Sequence, residues 1–72
     1  MDKVRVYHDH TGNTLTVWFG DPAKEAVCEE IADDVALIKD RRGRVIGLER
    51  LNYLSRKDQE QGAAVPVEVR VL

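Results

Sequence analysis

Asp33-Asp34-Val35-Ala36-Leu37-Ile38-Lys39-Asp40-Arg41-Arg42-Gly43-Arg44-Val45-Ile46-Gly47-Leu48-Glu49-Arg50-Leu51 is two apolar runs hinged on a polar turn. Val, Ile and Leu fit a pleated, half-buried surface, so the runs Val35 to Lys39 and Arg44 to Leu51 read as strands. Asp40-Arg41-Arg42-Gly43 supplies the turn, with glycine at a position where φ can be positive. The stretch is therefore a β-hairpin at the centre of a small sheet. Gly47, inside the second strand, contributes no packing and predicts a bulge or a close backbone approach.

Upstream, Lys3 to Tyr7 alternates around Val4 and Val6, and Thr14 to Phe19 alternates Leu15, Val17 and Phe19 against Thr14, Thr16 and Trp18. These are two further strands, and His8 to Asn13 between them has the glycine and small polar residues of a hairpin loop. Gly20-Asp21-Pro22 ends the second strand, since proline cannot donate to a ladder. Glu25 to Ile31 fits neither period cleanly; an edge strand is preferred over a single helical turn. Downstream, Asn52 is placed as N-cap of a short helix over Tyr53 to Gln61, with Gly62 as its stop. Pro66 then opens an alternating run, Val67, Val69 and Val71 against Glu68, Arg70 and Leu72, expected as a C-terminal strand. The whole reads as one domain over residues 1 to 72: mainly β, a small α+β chain of antiparallel hairpins in a meander-like sheet, with one short helix and a final strand.

A domain of 72 residues buries only about 60% of the surface its unfolded chain exposes. Small scaffolds need a staple: disulfides, a metal, exceptional packing or self-association. Cys28 is the single cysteine, so no internal disulfide forms, and no strong metal motif occurs. Self-association, including a homodimer, is accordingly expected. The free thiol, the lack of a signal segment and the lack of any run of about eighteen apolar residues point to a cytoplasmic protein with no membrane partner.

The formal net charge is -2, with no overall basic excess to draw the chain to nucleic acid. The distribution is uneven. Gly20 to Asp34 holds Asp21, Glu25, Glu29, Glu30, Asp33 and Asp34 against Lys24, a balance of -5. Lys39 to Lys57 holds Lys39, Arg41, Arg42, Arg44, Arg50, Arg56 and Lys57 against Asp40 and Glu49, a balance of +5.

Tyr7 and Asp9, the Leu15-Thr16-Val17-Trp18-Phe19 strand, Glu29-Glu30-Ile31, Asp40 to Gly43 and above all Val45-Ile46-Gly47-Leu48-Glu49 resemble the small bacterial family known as domain of unknown function 2283. The resemblance covers residues 3 to 54, and the Leu51-Asn52-Tyr53-Leu54-Ser55 ending looks like cyanobacterial members. It implies a compact antiparallel β fold and no established activity. Some members are encoded beside small proteins resembling ribonuclease toxins, which implies an antitoxin role by gene neighbourhood. The chain departs from the family pattern at Arg50, where an apolar residue is usual, and at the His10-Thr11-Gly12-Asn13 loop.

Each chemical group has a structural reading beside its functional one. His8 and His10, two residues apart and flanking Asp9, could face one side of a strand and hold a transition metal, with Cys28 approaching from a neighbouring strand. No third histidine or cysteine pair accompanies them, and an exposed polar loop is the simpler reading. Cys28 is read as a small buried or half-buried hydrophobe. Glu29-Glu30 and Asp33-Asp34 are adjacent pairs whose members point to opposite faces, which suits solvated charges guarding an edge strand better than a shared acid/base site.

Glu49 lies two residues beyond Gly47, on the same strand face, where a missing side chain leaves room for a ring. Tyr7, Trp18 and Glu49 are thus the candidate ligand-binding set, with Tyr7 or Trp18 alternatively filling that room. Arg41, Arg42 and Arg44 cluster in the turn as a candidate nucleic-acid contact, with aromatic side chains as stacking partners; a solvated turn is the alternative. No catalytic constellation or cofactor fingerprint is present, so binding is favoured over catalysis. The candidate partner surfaces are the acidic edge carrying Glu25, Glu29 and Glu30, and the strand carrying Val67, Val69 and Val71. Each would take a protein partner or a second copy.

Overall fold

The computed structural model describes residues 3–62 and 64–72. Five strands form one antiparallel sheet: β1 (Arg5–Asp9), β2 (Thr14–Trp18), β3 (Val27–Ala32), β4 (Val35–Lys39) and β5 (Val45–Arg50), in spatial order β1-β2-β5-β4-β3. The central hairpin is β4 and β5, as its two apolar runs dictate. Only β3, β4 and β5 follow one another as a meander. The β1-β2 hairpin is attached by pairing β2 to β5, so Gly20 to Ala26 must cross to the far edge. A single 3-10 turn at Pro22–Lys24 makes that crossing, capped by the Asp21 carboxylate on the Ala23 N–H. The edge strand expected over Glu25 to Ile31 is β3, which runs from Val27 to Ala32.

Directly opposed residues share a face and alternate residues swap faces, so the register sorts the side chains. One row aligns Cys28, Ile38, Gly47, Trp18 and Arg5, and the next aligns Glu30, Ala36, Glu49, Thr16 and Tyr7. This indole face carries the buried cluster of Trp18, Ile38 and Ile46. The opposite, aliphatic face has rows Val27, Lys39, Val45, then Glu29, Leu37, Leu48, Val17, Val6, then Ala32, Val35, Arg50, Leu15, His8.

Gly47 meets both of its expectations. Pairing shifts between Ile38↔Gly47 and Lys39↔Val45, which leaves Ile46 as the extra residue of a bulge. The Ile46 carbonyl then accepts from both Phe19 N and Gly20 N, at 2.8 and 3.0 Å, and ends β2 there.

Three sequence expectations are corrected. β1 continues through Asp9, so the first loop is only His10 to Asn13, closed by Asn13 at a φ of 50°. The helix α1 is Arg56–Glu60, not Tyr53 to Gln61, and its N-cap is Ser55, whose hydroxyl accepts from Asp58 N. Asn52 instead sits at a φ of 52°. Asn13 contributes to this: its side chain accepts from the Leu54 N–H at 3.0 Å and donates to the Leu54 C=O at 2.9 Å, which anchors Leu54 to the first loop ahead of the helix. Finally, Pro66 to Leu72 joins no strand. Alternation makes a strand only where it pairs with an edge, and this segment pairs with neither β1 nor β3; the Pro66 carbonyl accepts from the Tyr53 hydroxyl instead.

Candidate functional site

The crossing between β2 and β3 and the turn between β4 and β5 come together at one end of the sheet. Ala26 N donates to the Lys39 carbonyl at 2.9 Å, which docks the crossing against the turn. The result is an open cleft lined by Lys24, Glu25, Asp40, Arg41, Arg42 and Arg44. Asp40 organises the turn: one carboxylate oxygen accepts from Arg42 N and Arg44 N at 2.9 and 3.0 Å, the other meets Arg44 Nε at 3.3 Å. The backbone N–H of Arg44, then that of Arg42, holds the Asp40 carboxyl below its ordinary range. Gly43 takes a φ of 77°, which completes the turn. Arg41 and Arg42 remain exposed and form no ion pair with a described residue. Lys24, which the sequence reading left out, joins them because the crossing brings it from fifteen or more positions upstream.

The acidic segment lies on and beside β3, all of whose residues are exposed and which has no partner on its outer edge. Its charge is partly answered from within the chain. Glu29 pairs with Lys39 at 2.5 Å and Asp34 with Arg50 at 3.3 Å, so the two oppositely charged segments neutralise each other across the sheet. Arg50 is exposed. Glu25, Glu30 and Asp33 form no ion pair with a described residue.

Tyr7, Trp18 and Glu49 do share the indole face. The room beside Gly47 is nevertheless taken by Trp18, which is only 9% exposed and whose Cε3 lies 3.1 Å from where a Gly47 Cβ would stand. Tyr7 is exposed, separated from Glu49 by Thr16 in the same row. Glu49 reaches over the small Ala36 side chain to Cys28, whose thiol lies 3.9 Å from Glu49 Oε2. Cys28 is exposed on β3, which corrects its reading as a buried or half-buried hydrophobe: at the edge of the sheet, nothing in the described chain covers its side chain. Partial desolvation, then the negative charges of Glu49 and Glu25, push its pKa up.

His8 and His10 do not converge. His8 Nε2 lies 3.1 Å from Asn13 Oδ1, while His10 is in the loop, its carbonyl accepting from Gln59 Nε2 at 3.2 Å. Cys28 stands at the other edge of the sheet and on the other face. Among the described residues no group of three His, Cys, Asp or Glu is placed to hold a metal. Val67, Val69 and Val71 are 50%, 88% and 100% exposed. Asn13 is the structural residue the sequence reading missed, since a buried asparagine in a loop looks like any turn residue until its long-range partner is known. Among the described residues no helix is long and apolar enough to cross a membrane. Comparison with family models, with curated proteins and with solved structures finds no match to this chain.

Proposed function

We propose that this chain is a non-enzymatic, cytoplasmic protein-interaction module of the domain of unknown function 2283 type, with an antitoxin-like role toward a basic partner protein. The observation that carries this reading is β3: an open edge strand, every residue exposed, carrying Glu30 and flanked by Glu25 and Asp33, all without ion pairs to a described residue. A partner segment adding to that edge gains main-chain hydrogen bonds, and acidic side chains along it select for a basic one. Catalysis is disfavoured because the space beside Gly47, the candidate ligand position, is filled by Trp18. The free, exposed Cys28 thiol suits a reducing compartment. The test is coexpression with the products of neighbouring genes, followed by affinity capture. A basic neighbour should co-purify, and Glu25→Lys with Glu30→Lys should weaken its capture at least tenfold. Recovery of the protein alone with every neighbour overturns the proposal.

The cleft supports a second reading, because Lys24 adds a fourth cation to Arg41, Arg42 and Arg44, against Glu25 alone, Asp40 being occupied within the turn. Such a site fits the phosphate backbone of a nucleic acid. Binding of single-stranded RNA should then weaken steeply with salt and fall further in Arg42→Glu. No gel shift at low ionic strength removes this reading.

A further inference from the structure

Domains bury apolar surface by packing at least two layers of secondary structure against each other. Among the described residues this chain supplies one layer: the sheet, with a helix α1 that carries no buried residue. The indole face is filled by Trp18 and its neighbours. The aliphatic face is not covered: Val6, Val27 and Val45 are 41%, 53% and 45% exposed, and Val17, Leu37, Leu48 and Val35 between them are only half-buried. Only its His8 end is closed, by the Tyr53-Leu54 corner.

We infer that a second copy of this chain covers the aliphatic face, the two sheets packing face to face. Charge favours self-pairing. The charged groups of the face are already answered inside the chain, Glu29 by Lys39 and Arg50 by Asp34, so it attracts neither a basic nor an acidic partner and does not repel its own copy. Area indicates how the pairing is completed. Five strands about 4.8 Å apart and about 17 Å long give a projected footprint of roughly 400 Å² per copy, or roughly 800 Å² in total, short of the roughly 1,200 to 2,000 Å² of specific interfaces.

The segment from Pro66 makes up the difference. Its origin is fixed beside this face, because the Tyr53 hydroxyl holds the Pro66 carbonyl while the Tyr53 ring packs near the His8 ring, their centroids 6.2 Å apart. From there Val67, Val69, Val71 and Leu72 project unburied. At roughly 100 Å² each, the three valines from both copies bring the interface to roughly 1,400 Å², within the range of specific interfaces. The segment therefore lies along the rim of the partner's aliphatic face, its alternation turning the valines inward.

This inference is independent of the β3 reading, since it uses the other surface and no second protein. Sedimentation equilibrium of the full chain should give a dimer, and the thermal midpoint should rise with protein concentration, as association coupled to folding requires. Val6→Glu with Val45→Glu should weaken dimerisation at least a hundredfold. Deleting Val67 to Leu72 should weaken it at least tenfold, and Arg42→Ala should leave it unchanged. Should the double variant not fold, the concentration dependence of the wild-type midpoint still decides. A monomer with a midpoint constant across a hundredfold concentration range overturns the inference. So does open-ended association, which would signal edge-to-edge pairing, or a monomer that dimerises only with another protein.

Discussion

Gly47 and Trp18 are directly opposed across β5 and β2, and the indole lies over the glycine in place of a side chain. A Cβ at Gly47 would stand 2.8 Å from the Val17 carbonyl oxygen and 3.1 Å from Trp18 Cε3. The first contact is with the backbone of a paired strand, which cannot retreat without stretching the ladder. Gly47→Ala is therefore expected to destabilise the fold by about 1–3 kcal/mol, as overpacking does. Trp18→Ala should cost about 3–5 kcal/mol through the cavity it leaves. The double variant should cost less than the two together, because the residues are in contact. Denaturant unfolding of the three variants measures this, and strict additivity would show that the ring does not rest on Gly47.

Asn13 ties the first loop to the chain 41 positions later, through Leu54 N and Leu54 O. It is only 7% exposed, so its loss strands two backbone groups in a dry site. Asn13→Ala is expected to cost about 3 kcal/mol, part of it from forcing alanine into a positive φ. Asn13→Gly removes only the conformational part of that penalty. Alanine should thus be worse than glycine, and both clearly worse than wild type. Equal stability of Asn13→Ala and wild type in urea unfolding would contradict the role assigned to this side chain.

The contrast between Gly47 and Asn13 shows what the sequence made legible. A glycine inside an apolar strand has few structural meanings, so the bulge and the close approach were readable in advance. The hairpins followed in the same way from local alternation and turn chemistry. The order of strands did not, because β2 pairing with β5 is a long-range choice that leaves no local trace. Asn52 was mistaken for a helix cap since Ser55, three residues on, is an equally good one; Asn13, far upstream, contributes to the choice. The Val67 to Val71 alternation satisfies every local rule for a strand, yet the segment pairs with neither edge of the sheet. Lys24 entered the cationic cleft for a tertiary reason as well, since only the crossing strand brings it to the arginine turn.

Asp40 predicts how acid acts on the central turn. Its carboxyl titrates below the ordinary value of 3.8 because the Arg44 and Arg42 backbone N–H groups bond the charged form. A lowered folded-state pKa means that the unfolded chain binds the proton more readily. The contribution is thus complete above the ordinary carboxylate range and disappears as pH falls through the lowered value. Asp40→Asn keeps an acceptor but no charge. The stability gap between wild type and Asp40→Asn should be constant near neutrality and close as the solution is acidified below about pH 4. A gap that persists unchanged into strong acid would mean that shape, not charge, holds the turn.

Cys28 and Glu49 test the electrostatics of the indole face by reactivity. The raised thiol pKa keeps Cys28 protonated at neutral pH, and the thiol is the poor nucleophile of the pair. Although exposed, Cys28 should alkylate more slowly with iodoacetamide than a free cysteine at pH 7.5 or so. Unit charges about 4 Å apart in water repel by roughly 1 kcal/mol, so removing the Glu49 charge should lower the thiol pKa and speed alkylation up to about fivefold. Glu49→Gln is the variant to use, since it keeps the length of the side chain arching over Ala36. Glu25→Gln, which removes a weaker charge than Glu49 among the three acting on the thiol, should accelerate alkylation less. If Glu49→Gln left the rate unchanged while Glu25→Gln raised it, the thiol would be facing the outer edge of β3, not the carboxylate across Ala36.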